Sequence, residues 1–258
     1  MMSRLLTLFL LLVCLPAWAG PPFVTDDPEP VDYQHWEINT AMQGTYTRDG
    51  RSGAWPSVDM NYGPLPDVQA HVGLNATYAQ GSGENFHYGY GDTEIGVKWR
   101  FLDEDEEGWR PQVAIYPITD FPSGVASRGL GAGHQRTFLP VWVQKSFGDW
   151  TAYGGGGYWI NHYADTDRNY WFTGLTVLRK LSEEWTLGAE IFHQTADLTG
   201  QTVEGGTGVS SRPSTGFNVG GYYTVDDANN LIFTFGRGLQ NIQDTNRFSY
   251  YVGDQLHF

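Results

Sequence analysis

From residue 33 onward, hydrophobic and polar positions alternate with a period of two. Trp36, Ile38, Thr40 and Met42 alternate with Glu37, Asn39, Ala41 and Gln43; Val68, Ala70, Val72, Leu74 and Ala76 alternate with Gln69, His71, Gly73 and Asn75. Ile95, Val97, Trp99 and Phe101 face away from Glu94, Gly96, Lys98 and Arg100. Such runs are strands with one apolar and one mixed face. Turn residues divide the chain into twelve of them, near 33 to 47, 55 to 63, 67 to 79, 90 to 102, 109 to 119, 134 to 147, 149 to 161, 169 to 181, 185 to 197, 213 to 225, 229 to 239 and 246 to 258. No stretch after residue 20 approaches the eighteen apolar residues of a membrane-spanning helix.

The connections sort by length. Those at 64 to 66, 103 to 108, 148, 182 to 184 and 226 to 228 are short, whereas 120 to 133 and 198 to 212 are long. An even strand number with short turns at one end and long loops at the other predicts a transmembrane antiparallel β-barrel, all-β, of about twelve strands. A soluble sandwich has no reason to alternate in this way. On the last strand, Phe248, Tyr250, Val252, Leu256 and Phe258 share a face that Asp254 interrupts. An amphipathic final strand is stable only if its open edge pairs with the first. Trp and Tyr near strand ends, among them Trp36, Tyr46, Tyr62, Tyr78, Trp99, Trp109, Trp150, Trp171 and Trp185, predict interfacial girdles.

The first residues obey a different pattern. Arg4, the apolar run Leu5 to Leu15 and Ala17-Trp18-Ala19 read as a cleaved signal peptide over 1–19. A lipoprotein reading is disfavoured because Val13 rather than a small residue precedes Cys14, the one Cys in the chain. The expected organisation is a signal peptide at 1–19, a periplasmic leading segment at 20–34 and a barrel at 35–258, in the outer membrane of a Gram-negative-type bacterium. The 258 residues carry 15 Lys+Arg against 29 Asp+Glu, a net charge of −14 that excludes a nucleic-acid-binding surface. On the predicted topology much of this acid falls on the periplasmic turns and the leading segment.

If the apolar parity faces lipid, Glu37, Asp59, His71, Glu94, Lys98, Arg100, Arg110 and Glu190 face the lumen. So do Tyr116, Phe138, Trp142, Tyr153, Trp159, Phe172, Phe192 and Tyr222. Water-filled porin lumens are mostly polar, so an aromatic half points to a packed plug or to a wall that binds apolar solutes. Tyr116, Phe138, Trp142, Tyr153 and Trp159 are the candidate solute wall, and Glu94, Lys98 and Arg100 the candidate lumen constriction. Gly154 to Gly157 form a glycine run within a predicted strand, which reads as a kink that opens a lateral gap or as a docking place for residues 20–34. That leading segment, rich in Pro and acids, otherwise reads as a solvated tail.

The segments PPFVTDDPEPVDYQHWEINT, Pro21 to Thr40, and LPVWVQKSFGDWTAYGGGGY, Leu139 to Tyr158, resemble the meta-pathway phenol degradation family of outer-membrane barrels. The resemblance implies a channel or transporter for small hydrophobic or aromatic compounds, and no ring chemistry. The final strand ending at Phe258 resembles the signal read by the barrel assembly machinery, so the expected partners are that machinery, outer-membrane lipid and a small apolar or aromatic solute. Two alternatives remain. One is a plugged structural or adhesive barrel that binds a partner through its loops. The other is a barrel lipid hydrolase, for which His193 and Thr195, two apart on one strand face, are the candidate pair. It lacks the Ser and the following Asn of outer-membrane phospholipase A. The scattered His71, His134, His162 and His257 lack metal-site spacing, and no cofactor motif is found.

Overall fold

Alternating strands can leave no open edge in lipid, where unpaired backbone groups find no water, and the chain satisfies this by closing on itself. The computed structural model describes residues 21–105, 108–163, 166–167, 169–196 and 212–258. The expected signal peptide, most of the loop at 198 to 212 and two acids of the run at 103 to 107 lie outside the described residues. The strands are β1 (Trp36–Tyr46), β2 (Gly50–Leu65), β3 (Val68–Gly81), β4 (His87–Tyr90), β5 (Thr93–Leu102), β6 (Gln112–Ile115), β7 (Ile118–Phe121), β8 (Arg136–Phe147), β9 (Trp150–Tyr163), β10 (Thr166–Asp167), β11 (Tyr170–Lys180), β12 (Trp185–Gln194), β13 (Ser214–Asp226), β14 (Asn229–Gln240) and β15 (Phe248–His257). A short 3-10 turn (Ala126–Arg128) and one helical turn, α1 (Ile242–Thr245), complete the elements.

These strands make twelve staves among the described residues, since β4 with β5 and β6 with β7 each form one stave and β10 only extends β11 along β9. All pairings are antiparallel between chain neighbours, and β1 pairs with β15 from Glu37↔His257 to Tyr46↔Phe248. Trp36 and Phe258 exchange backbone hydrogen bonds at 2.7 and 3.1 Å, so the first and last residues of the wall seal the seam.

Departures from the expected strands have local causes. The fifth stave breaks at Pro117, which has no N–H to give. Its neighbours nevertheless stay attached, through Val97 N–H donating to Pro117 O at 3.1 Å and Tyr116 N–H to Pro140 O. The second stave begins at Gly50 rather than 55, because a polar Arg51-Ser52-Gly53 continues pairing beyond the apolar zone. At the Pro66–Asp67 turn Asp67 takes a left-handed φ of 61°, a conformation Asp tolerates.

The glycine run does not open the wall. β9 pairs without a register shift with β8, from Phe147↔Trp150 to Arg136↔Asn161, and with β11, from Arg179↔Trp150 to Tyr170↔Trp159. The expected kink and lateral gap are therefore corrected: glycine serves close backbone approach. At Gly155, with φ of 153°, an added Cβ would strike the Val141 carbonyl.

The outward face carries Ile95, Val97, Phe101, Leu139, Val141, Leu175, Ile191, Leu231 and Val252, all exposed. In water each such side chain would forgo about 1.5–3 kcal/mol of burial, which hydrocarbon restores. Exposed aromatics bound this belt. Trp36 stacks near Tyr62 at 4.6 Å and Trp185 near Tyr223 at 4.8 Å at the end bearing the short turns, and Tyr158 meets Trp171 at 4.9 Å at the opposite end. Among the described residues no helix is long and apolar enough to cross a membrane; the strands do the crossing.

Candidate functional site: a divided lumen

The inward parity brings charge into the barrel, and charge there needs partners. The leading segment supplies many of them. Residues 21–34 are not a solvated tail: they run up inside the barrel from the short-turn end. Tyr33 bridges to Gly63 at the rim and Val31 N–H donates to Gln69 at 3.0 Å. Deeper, Glu29 accepts from Arg100 at 2.7 Å and from Gln112 at 2.6 Å. Lys98, 2% exposed, donates to Asp26 at 3.0 Å and to the Glu29 carbonyl at 3.2 Å. On the far wall Glu190 accepts the N–H groups of Val24 and Thr25, both at 2.9 Å, and Asn218 completes its shell at 2.5 Å. Thr234 donates to Pro22 O at 2.9 Å.

The partners lie on β3, β5, β6, β12 and β14, on opposite sides of the ring, so the segment crosses the lumen. Thr25 lies against Gly174 of β11, where an added Cβ would collide with its hydroxyl; Gly174 is the register partner of Gly155. The segment thus docks beside the glycine run, on the neighbouring strand. Burial pushes the Asp27 carboxyl well above the usual carboxylate range, with Lys98 opposing, and raises Glu29 too, with Gln112 and Arg100 opposing.

Among the described residues, the segment lies between two cavities. The larger, about 270 Å³, lies toward the long-loop end and is walled by Phe138, Trp142, Trp159, Tyr170, Phe172 and Phe192. Phe138 and Trp159 stack at 4.8 Å, and Phe172 meets Phe138 edge-on at 6.1 Å. Arg136 closes this wall, donating to Asp120 at 2.6 Å and lying 5.3 Å over the Trp159 ring. The smaller cavity, about 150 Å³, lies toward the short turns and is lined by Glu37, Asn61, Gln69, His71, Lys98 and Tyr116. Pro21, Phe23, Val24, Asp26, Asp59, Glu94 and Ile118 line both and form the junction between them. At that level His71 bridges Asn61 at 2.8 Å and Glu94 at 2.9 Å, so both ring nitrogens meet oxygen acceptors, as an imidazolium does.

Of the candidate solute wall, Phe138, Trp142 and Trp159 line the larger cavity and Tyr116 the smaller. Tyr153 is buried in the wall and lines neither. Of the candidate constriction, Glu94 stands at the junction and Lys98 in the smaller cavity, whereas Arg100 sits lower, tied to Glu29, Asp67 and Asp103. Arg110, expected inward, is exposed at the rim and donates to the Asp103 carbonyl, because the strand begins only at Gln112. Asp26, Asp27 and Glu29, expected on the periplasmic side, lie in the lumen. Asp120 and Arg136 were missed, although they share the parity of Tyr116 and Phe138. His193 contacts the Thr215 hydroxyl at 2.8 Å, while the Thr195 hydroxyl accepts the Trp171 N–H at 3.0 Å, so the two do not form a nucleophile and base pair. Among the described residues no group of three or more His, Cys, Asp or Glu is placed to hold a metal.

At the long-loop end, the loop after β7 is pinned inward. Asp92 accepts from Gly124 N–H at 3.0 Å and Ala132 N–H at 2.7 Å, Thr77 donates to Leu130 O at 3.1 Å, and Leu130 is buried.

A closed antiparallel ring with a lipid-facing belt, aromatic girdles and a polar interior defines an outer-membrane-type β-barrel. Among solved structures the chain is similar to an outer membrane channel of Pseudomonas putida F1, with 14% identity over 90% of this chain and 98% of that one and a TM-score of 0.69. It is also similar to the NanC porin, at 10% identity over 86% and 98% with a TM-score of 0.58. The translocator domain of the autotransporter NalP from Neisseria meningitidis follows, at 15% over 86% and 87% with a TM-score of 0.51. At such identities the likeness is one of fold. No family model and no curated protein matches the chain.

Proposed function

We propose that this chain is an outer-membrane channel that passes small apolar or aromatic solutes by passive diffusion. The observation that carries the reading is the cavity of about 270 Å³ at the long-loop end, one wall of which is aromatic and the rest mixed, and which adjoins a second, mixed cavity leading to the short-turn end. A solute partitions onto the rings, moves past the leading segment at the junction and leaves through the smaller cavity. No energy coupling enters this route. The fold shared with a channel and a porin, and the resemblance of Pro21 to Thr40 and Leu139 to Tyr158 to the phenol degradation family, support the same reading. On it, Phe138, Trp142 and Trp159 bind the ring, Tyr116 receives it beyond the junction, and Glu94 and Lys98 set the narrow point. The barrel assembly machinery engages β15 through its ending at Phe258, after removal of residues 1–19.

A plugged structural barrel is the second reading, favoured by the leading segment that crosses the lumen. Proteoliposomes separate the two: a channel moves phenol across the bilayer, and a plugged barrel moves none. A Phe138→Ala variant is expected to weaken phenol-dependent quenching of Trp fluorescence by about 1 kcal/mol, roughly fivefold in affinity, since the Trp159 ring loses its stacking partner. Absence of both flux and quenching overturns the reading.

A further inference from the structure

The junction between the cavities is unequal in charge. Three carboxylates, Asp26, Asp59 and Glu94, face both cavities, and no Lys or Arg does so. Lys98 meets Asp26 from the smaller cavity, and His71 meets Glu94. Asp59 makes no hydrogen bond or ion pair with any described residue; its nearest basic group is His71, already engaged by Glu94. Above this level Arg136, the one base of the larger cavity's lining, is committed to Asp120. A solute moving between the cavities therefore passes an unmatched carboxylate within low-dielectric walls, which concentrate the field. Rings of Asp and Glu in a pore favour cations. The rings of Phe138 and Phe172 add in the same sense, because ring quadrupoles attract cations and not anions, whereas the Trp159 ring already carries Arg136.

We propose that the junction is a cation selector and that the preferred solute is an aromatic ring carrying an ammonium group, an arylalkylammonium. The ring lies on the Phe138 and Trp159 wall while the ammonium faces Asp59. This rests on the channel reading above and narrows its substrate class. An aromatic carboxylate of the same size meets repulsion at the same place, and a neutral phenol carries no charge for the junction to select.

The full chain in planar bilayers under a KCl gradient, and in liposomes with phenethylammonium, phenylacetate or phenol, tests it. The expected result is K⁺ permeation over Cl⁻ by at least about threefold, phenethylammonium moving faster than phenylacetate, and both ratios falling toward one in Asp59→Asn. Folding of the variant is read from the faster migration of an unboiled barrel in a detergent gel. If Asp59→Asn does not fold, Glu94→Gln is held to the same expectation. Equal or anionic preference in the parent, or ratios unmoved in a folded variant, overturns the inference. Flux of phenol without charge preference overturns the inference and leaves the channel reading standing, whereas no flux of any solute overturns both.

Discussion

Lys98 Nζ donates to Asp26 Oδ1 at 3.0 Å, joining the wall of the barrel to a segment 72 residues earlier in the chain. The lysine is buried, so its charge needs opposite charge close by, and the segment brings Asp26 to it together with Asp27, a further 3.8 Å contact. The pair therefore couples two things that sequence keeps apart, the polarity of the wall and the position of the leading segment.

Removing the cation leaves the buried Asp27 and the part-exposed Asp26 without compensation, a cost of about 3 kcal/mol. Lys98→Met is expected to release residues 21–31 from the lumen while the barrel stays closed. Limited proteolysis followed by mass spectrometry should then show cleavage in the segment, and single-channel conductance should rise. Restored protection in a Lys98→Met, Asp26→Asn double variant would assign the effect to the pair rather than to packing.

Gly174 offers a second route to the same end. An added Cβ points into the Thr25 hydroxyl, so Gly174→Ala overpacks the contact between segment and wall at about 1–3 kcal/mol, without touching a charge. Proteolytic exposure of the segment should increase as in Lys98→Met, but with cation preference unchanged. An equally protected segment would show that the docking does not depend on this contact.

Acid should tighten the docking. Asp27 and Glu29 have folded-state pKa values raised by burial, with Lys98 facing Asp27 and Arg100 facing Glu29, and Asp26 adding repulsion to Asp27. A raised carboxyl contributes its full stability below its unfolded pKa, near pH 4, and loses it as pH climbs through the raised value. Amide exchange in residues 24–31 should therefore be slower at pH 4 than at pH 8 once corrected for intrinsic rates. The dependence should shrink in Asp27→Asn, which is neutral at every pH.

Much of this is legible in the sequence alone. The strand number and the lipid-facing set from Ile95 to Phe101 follow from period-two alternation, which is local and survives in the fold, and the closure of the last strand on the first follows from the cost of an open edge. Parity likewise placed Phe138, Trp142 and Trp159 inward, and carried through Pro117 and back to Arg136 it would have placed Asp120 and Arg136 there too. Arg110 was misplaced because parity has no meaning before a strand has begun. The glycine run reads as a kink or as a docking place for residues 20–34, since nothing in four glycines distinguishes a bend from close approach of two paired backbones.

The sequence by itself determined which side chains face lipid and which face the lumen, because a strand can turn its residues only two ways and hydrocarbon admits one of them. Only the tertiary structure decided what fills that lumen. The Glu190 carboxylate and the Thr25 N–H are 165 residues apart, and a Pro-rich acidic stretch carries no local pattern that names its partners. Its place is set by buried charges on opposite walls, each of which needs a counterpart that water cannot supply inside the barrel. The division into a larger cavity with an aromatic wall and a smaller one beside Lys98 and His71, with Asp59 unmatched between them, follows from that docking.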